Sequence, residues 1–543
     1  MSRTVVLLGG GALLALAVAG PALAQQRDGG GGRGRVQAAP YVEVGQLLDA
    51  DLNGGDTVTY TSVAAGIDAA VNTGRTSAQL SYRYEHRISW DGDLGDDDAH
   101  YGLARVATRL TPWLSLEAGG LATRTRSNIG GDAPGLLLGN DDNISQIYAV
   151  YAGPSVATQV GALNIGADYR LGYTKVETPG ATPLVAGQPR LDYYDDSMGH
   201  VATARIGVGP GAVFPFGLTL SGGYEREDSG QLDGRFEDAY GRLDALLPVS
   251  ANLALQGGVG YEKLTTSSRP PLLTPAGLPI TDGNGRFVTN DAAPRRVDYR
   301  TDGLYYDAGV VWRPNRRTSV AFAVGRRYGS TIYTGQASWA ASRTVGLSVN
   351  VYDSVETFGH QLRDNIGSPP TSFVTARDQY SQQFNGCVFG TSGSTPGSCL
   401  TSVLQSITTA SYRTRGIDAV LSATRGLTTY GVGAGYVNRK LHSRSNAVGV
   451  SLYGLEDESY YAQGFLARTL SPVSTVSANI FLNYYDPATP LSAQIWSYGA
   501  TGSYNHAFGR ISTTASVGLY SFKVGELDSD LFAQAALAAR YTF

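Results

Sequence analysis

Few residues in this chain stand in a pattern that does chemistry. Asp49 to Asp56, DADLNGGD, opens like a D-x-D-x-N-G calcium loop, in which alternate carboxylates and a glycine turn wrap a hard cation. The pattern then fails. Tyr60 stands where the bidentate Glu belongs, no helical pattern flanks the loop, and Asn53-Gly54 is a hairpin signal. Asp91 to Asp98, DGDLGDDD, is a denser acidic stretch that reads first as a solvated loop. The six histidines are scattered, and no G-x-S-x-G, H-E-x-x-H or CxxC pattern occurs. GRRYGS, GGYE, GVGYE and GAGY are glycine-rich, but they lie inside alternating segments and not before helices, so they do not cradle phosphate. The reading is of a protein that is not an enzyme, with no cofactor and no metal site. Cys387 and Cys399 are the only cysteines. With both in one long link, a disulfide is favoured over two free thiols or a metal pair.

The elements that would position any site are strands. From Thr76 to Trp90, Ala78, Leu80, Tyr82, Tyr84, Ile88 and Trp90 share one face, with His86 the exception. Gln79, Ser81, Arg83, Glu85, Arg87 and Ser89 share the other. The same zigzag recurs at Leu163 to Tyr173, Val476 to Tyr484, Trp496 to Tyr504 and Ala533 to Phe543. The links between these segments alternate. Short ones carry turn formers, as at Asn72-Thr73-Gly74 and Pro314 to Arg317; the others reach the length of Thr265 to Arg300 and Thr357 to Ser411. Tight turns at one end and variable loops at the other define an outer-membrane β-barrel. The expected fold is all-β: one antiparallel transmembrane barrel of about 22 strands, within about 18 to 24.

Composition agrees. Seventy Gly and 33 Tyr stand against two Met, and 42 basic against 46 acidic residues leave a net charge of -4, which asks for no nucleic acid. Residues 1–24 read as a signal peptide ending in Ala22-Leu23-Ala24, residues 25–38 as a flexible Gly-rich linker, and residues 39–543 as the barrel. No later apolar run reaches the length of a spanning helix. Tyr541 and Phe543 end the chain on the apolar face of its last strand, which resembles the C-terminal signal read by the barrel assembly machinery. The expected location is the outer membrane of a Gram-negative bacterium. The partners are outer-membrane lipid and lipopolysaccharide, with cations bridging the acidic loop to that lipid as its alternative reading.

Gly309 to Phe358 runs GVVWRPNRRTSVAFAVGRRYGSTIYTGQASWAASRTVGLSVNVYDSVETF. This resembles the exosortase (PEP-CTERM system)-associated outer-membrane β-barrel family, and YVEVGQLLDADLNGGDTVTYTSVAAGIDAAV is similar to that family's opening strands. The resemblance implies a non-enzymatic component of an exopolysaccharide or exosortase-linked export system, with polysaccharide export components as partners. It supplies no catalytic residues. Relatives of this family attract the description of a preprotein translocase accessory subunit, which does not fit: such a subunit resembles a short chain with one membrane helix. A general diffusion porin or small-solute channel is the alternative, and a barrel-embedded hydrolase the third reading.

By parity Arg83, Glu85, Arg87, Asp168 and Arg170 line the lumen, either as a charged ring that selects what passes or as mixed charges that pair with one another. Arg326 and Arg327 fall at the outer rim, Arg327 on the lumen side and Arg326 on the lipid side. There Arg326 meets anionic headgroups or closes a rim ion pair. A barrel of this size is a wide hole, so Thr357 to Ser411 is expected to fold over or into its mouth.

Overall fold

The computed structural model describes residues 35–55, 57–90, 96–126, 144–177, 194–282, 286–374, 386–404, 407–408, 410–442, 454–487 and 493–543. The expected signal peptide, most of the linker and residues 91–95 of the DGDLGDDD loop lie outside these residues. The strands begin with β1 (Arg35–Asp51), β2 (Thr57–Asn72), β3 (Thr76–Ser89), β4 (Asp97–Arg109), β5 (Leu114–Arg126), β6 (Ile144–Val160), β7 (Leu163–Glu177) and β8 (Asp196–Val208). They continue with β9 (Gly217–Ser229), β10 (Gly234–Pro248), β11 (Leu253–Ser268), β12 (Arg296–Asn315), β13 (Thr318–Arg327), β14 (Ser330–Ala340) and β15 (Val345–Glu356). Then come helix α1 (Phe358–Gly367), the hairpin β16 (Cys387–Ser392) and β17 (Thr395–Cys399), and helix α2 (Thr401–Leu404). The wall resumes with β18 (Tyr412–Arg425), β19 (Thr428–Leu441), β20 (Glu456–Ser471), β21 (Ser474–Asp486), β22 (Ile495–Phe508), β23 (Ile511–Val524) and β24 (Asp530–Thr542).

The wall is one antiparallel sheet of 22 strands. It closes where β1 meets β24, from Tyr41 opposite Thr542 to Asp51 opposite Phe532, so no sheet edge remains at that seam. The Phe543 amide donates to the Pro40 carbonyl at 3.0 Å and completes the closure. β1 starts before residue 39, because Arg35 to Ala38 already pair with Asn72 to Ala69.

The apolar face of each strand points outward and stays exposed: Leu220, Leu255, Val310, Ile480, Val517 and Leu537 are examples. Aromatic side chains bound this belt, with Tyr306 and Tyr333 toward the loop end of the wall and Trp312 and Trp339 toward the turn end. A closed barrel with such a belt is an outer-membrane protein. β13 and β14 are joined by Tyr328-Gly329 at φ 55° and 73°, the left-handed pair of a tight hairpin turn.

The lumen and its insert

The lumen is built by the polar halves of the same zigzags. Arg83, Glu85 and Arg87 on β3 are buried on the inner face. Arg83 Nη1 meets Glu43 Oε1 of β1 at 2.7 Å and Arg83 Nε meets Glu85 at 3.0 Å. Arg87 Nε meets Glu85 at 3.2 Å, and its Nη1 meets Asp97 of β4 at 3.7 Å. Asp97 also takes Arg124 of β5 at 2.5 Å, while Arg540 of β24 reaches Glu43 at 2.7 Å. These charges alternate in sign without a break from β24 across the closing seam to β5. They neutralise one another inside the wall and do not form a one-sign ring.

Asp168 and Arg170 on β7 also face inward but do not join that ladder. Asp168 accepts the Ser155 hydroxyl. Arg170 pairs with Asp364 of α1 at 2.8 Å and lies over the Tyr151 ring, 4.9 Å from its centroid. Arg327 is not at the outer edge. The β13–β14 hairpin stops where β12 continues from Tyr305 to Arg296 alongside β11, so Arg327 sits in the wall, paired with Glu262 and stacked on Tyr305. Arg326 points outward and is exposed, with no ion pair among the described residues.

The described residues between Thr357 and Ser411 lie inside the barrel. The Thr357 side chain caps α1 by accepting the His360 amide at 3.2 Å. Phe358, Leu362 and Ile366 then form one helix stripe, buried against Leu103, Leu121, Ile147, Ala149 and Val176 of β4 to β7. Polar bonds fix the other helix faces. Arg363 donates to Glu227 of β9, and Tyr412 donates to Gln361 at 2.6 Å. His360 faces three carboxylates: Glu356 of β15, Glu225 of β9 at 3.1 Å, and Asp364 at 3.3 Å. Burial alone would discharge His360, but these acids hold its pKa well above the ordinary value.

Beyond α1 the chain descends. Pro369 O accepts from Arg105 Nε at 3.0 Å, and Thr371 bonds Ser77 at 2.9 Å. The Gln79 side-chain amide pairs with both backbone groups of Phe373, at 2.7 and 2.9 Å, as a neighbouring strand would. Cys387 and Cys399 are joined by a disulfide across the mouth of the β16–β17 hairpin. Phe389 packs on Phe465 of β20, ring centroids 4.7 Å apart. At the hairpin tip the Gly393 amide donates at 2.9 Å to the Arg343 carbonyl, in the short turn between β14 and β15. The insert therefore runs from the loop end of the barrel to its turn end.

Space remains beside it. A cavity of about 730 Å³ opens in the turn-side half of β6 to β12, lined by Gln159, Asn164, Arg205, Arg242, Asp244 and Asp307 among others. Arg242 is paired with Asp244 at 2.7 Å and with Asp307 at 2.5 Å, whereas Arg205 has no ion pair among the described residues. Among the described residues no three or more His, Cys, Asp or Glu side chains are arranged so as to hold a metal ion. Asp49, from the calcium-like stretch, is buried in the lumen, where Gln534 donates to it at 3.4 Å.

The class these features define is a closed outer-membrane barrel with an internal plug inserted between two of its wall strands. No family model and no curated protein matches the chain. Among solved structures it is similar to the FrpB iron transporter from Neisseria meningitidis, at 9% identity and TM-score 0.41, covering 93% of this chain and 82% of that one. It is similar to the alcaligin outer-membrane receptor FauA from Bordetella pertussis at 12% identity and TM-score 0.38, covering 92% and 76%. For the siderophore receptor PirA from Acinetobacter baumannii the values are 10%, 0.40, 94% and 81%. Likeness at this level says nothing about what this chain binds.

Proposed function

We propose that this protein is a non-enzymatic, plugged conduit for hydrophilic material in the outer membrane, serving an exopolysaccharide or exosortase-linked export system. The observation that carries the reading is the placement of the described residues of the insert, 357–374, 386–404, 407–408 and 410–411. Its described parts touch the wall from the loop end of the lumen to the turn end and are tied to it by separable polar bonds from β3, β4, β7, β9 and β20. A permanent seal would be served by apolar packing alone; ion pairs and hydrogen bonds to a polar wall can be exchanged for water when the insert moves. Outside the apolar seat of α1 on β4 to β7, the wall it leaves behind carries paired charges and other polar side chains, which suits a sugar polymer. The export assignment comes from the family resemblance of Gly309 to Phe358. Polysaccharide export components, lipopolysaccharide and the barrel assembly machinery are the partners this reading calls on.

The 730 Å³ cavity beside the insert favours the second reading, a small-solute channel. Two measurements separate them. In planar bilayers the full chain should be nearly silent, and removal of residues 358–410 should give a large, steady conductance. In cells, loss of the protein should abolish surface polysaccharide. If surface polysaccharide persists and only small-solute uptake falls, the export reading is wrong and the channel reading stands.

A further inference from the structure

The two ends of the wall carry different charge. Acids stand at the loop end, as at Asp96 to Asp98 and Asp195-Asp196, whereas among the described residues none of the turns that join strands at the other end holds an Asp or Glu. Those turns hold arginines instead: Arg75, Arg316, Arg317, Arg343 and Arg510, every one exposed. Two more, Arg425 and Arg468, stand on the wall itself, near the turn ends of β18 and β20.

The insert hairpin fixes which way these two point. Val420 of β18 and Phe465 of β20 pack with Cys387 and Phe389, and Gly431 and Gly433 of β19 lie beneath the same hairpin, so all four face the lumen. Opposite parity turns Arg425 and Arg468 to the lipid, on the face of the exposed Tyr430, Val432 and Leu466. The register then brings the two together. Arg425 lies opposite Thr428 of β19, and Thr428 lies opposite Arg468, all three in one outward row. With neighbouring strands about 4.8 Å apart, the two arginine Cα atoms stand about 10 Å apart across Thr428, so both side chains reach one group placed over it. Both arginines are exposed, and neither has an ion pair or a side-chain hydrogen bond among the described residues.

We propose that Arg425, Thr428 and Arg468 form a binding site for an anionic glycerophospholipid of the inner leaflet, its phosphate held between the two guanidiniums and its acyl chains laid along Tyr430, Leu466 and Val432. The turn end of an outer-membrane barrel meets that leaflet. A phosphodiester offers one free oxygen to each guanidinium and accepts a further bond from the Thr428 hydroxyl. Charge selects among phospholipids. A zwitterionic headgroup carries an ammonium that gains from a neighbouring carboxylate, and no turn at this end supplies one. An anionic headgroup meets unpaired cations alone. An acidic protein would rest on the turns below the membrane, whereas this site lies on the lipid face, one row from exposed Tyr430 and Leu466.

The test titrates the full chain in detergent micelles with phosphatidylglycerol or phosphatidylethanolamine of the same acyl chains and reads the first lipid bound by native mass spectrometry. Phosphatidylglycerol should bind more tightly, and its apparent Kd should be about tenfold weaker in the Arg425→Gln, Arg468→Gln double variant, the equivalent of one charge-assisted bond. Arg326→Gln, at an outward, exposed position toward the loop end, should change nothing. Neither Arg425 nor Arg468 has a partner to lose, so the double variant should fold as wild type does, and Arg468→Gln alone stands in if it does not. Equal affinity for the two lipids, unchanged affinity in the variants, displacement of the bound lipid by inorganic phosphate, or displacement by a polyglutamate peptide, the mark of an acidic protein partner, would each overturn the proposal.

Discussion

The disulfide of the insert rests on Gly433. A Cβ built on that residue of β19 would lie 2.9 Å from Cys399 Sγ and 2.9 Å from Cys387 Cβ, closer than side chains pack. The neighbouring inward positions follow suit, since a Cβ at Gly431 would meet Phe389 and one at Gly435 would meet Tyr461. Gly431 and Gly433 thus form a shallow track on the wall along which the hairpin lies, while Gly435 makes room for the neighbouring wall side chain Tyr461.

A side chain on that track should unseat the hairpin while leaving the wall strand intact, because valine is a good strand former. Gly433→Val should cost the docked state about 1 to 3 kcal/mol, the usual range for overpacking. In planar bilayers its open probability should rise, while the heat at which the barrel loses its folded electrophoretic mobility should stay near wild type. A silent Gly433→Val pore would show that the hairpin does not close the lumen.

His360 makes the insert sensitive to pH. Its folded pKa lies well above the unfolded value of about 6.5, since Glu225, Glu356 and Asp364 outweigh burial. Such a group contributes its full stability below about pH 6.5 and loses it as the pH rises through the folded value. Asp364 works at the other end. Burial raises its pKa, but His360, Arg170 and Arg363 hold it down to about 2, so its contribution is present above its ordinary value of 3.8 and is lost as the pH falls through about 2. Docking of α1 is therefore firm in mild acid and slackens toward alkaline pH. Pore opening should increase on the alkaline side, and His360→Gln should remove most of that dependence. An alkaline increase that survives in His360→Gln would assign it to another group.

Barrel closure was legible because one face of each strand had to be apolar at every second residue, and Leu163 to Tyr173 or Trp496 to Tyr504 states that plainly. The insert was legible only as length. Its seat leaves one trace: Ile147 to Ala152, IYAVYA, is apolar on both faces, as a strand covered on both sides must be. Pairings such as Arg363 of α1 with Glu227 of β9 join residues from distant elements, and nothing in local spacing records them. The rim position expected for Arg327 failed because β12 overshoots its hairpin partner, and overshoot depends on pairing with β11.

The ladder at the seam gives a stability prediction. Arg83 is buried between Glu43 and Glu85, and Arg540 shares Glu43 from the last strand. Arg83→Ala would leave two buried carboxylates short of a cation, a loss of about 3 to 5 kcal/mol for a buried pair. Thermal unfolding followed by electrophoretic mobility should move down clearly. Arg540→Ala should do less, because its side chain is partly exposed and Arg83 still holds Glu43. Equal shifts for the two variants would mean that the charges act singly and not as a ladder.

The two ends of the sheet meet through Phe543, whose role in assembly separates from its role in stability. Its amide bonds Pro40, a contact that needs no aromatic ring, and its exposed side chain has the Tyr541 ring beside it, centroids 5.2 Å apart. Phe543→Ala keeps the backbone bond and removes one ring from a lipid-facing surface, so the finished barrel should unfold within a few degrees of wild type. A ring that is read as an assembly signal acts earlier, before the seam exists. In cells the variant should therefore reach the outer membrane in much smaller amounts, whereas refolding of the purified chain from urea into lipid should proceed with normal yield. Normal cellular yield would assign Phe543 to the belt alone; a shared failure in cells and in lipid would make it part of the seam.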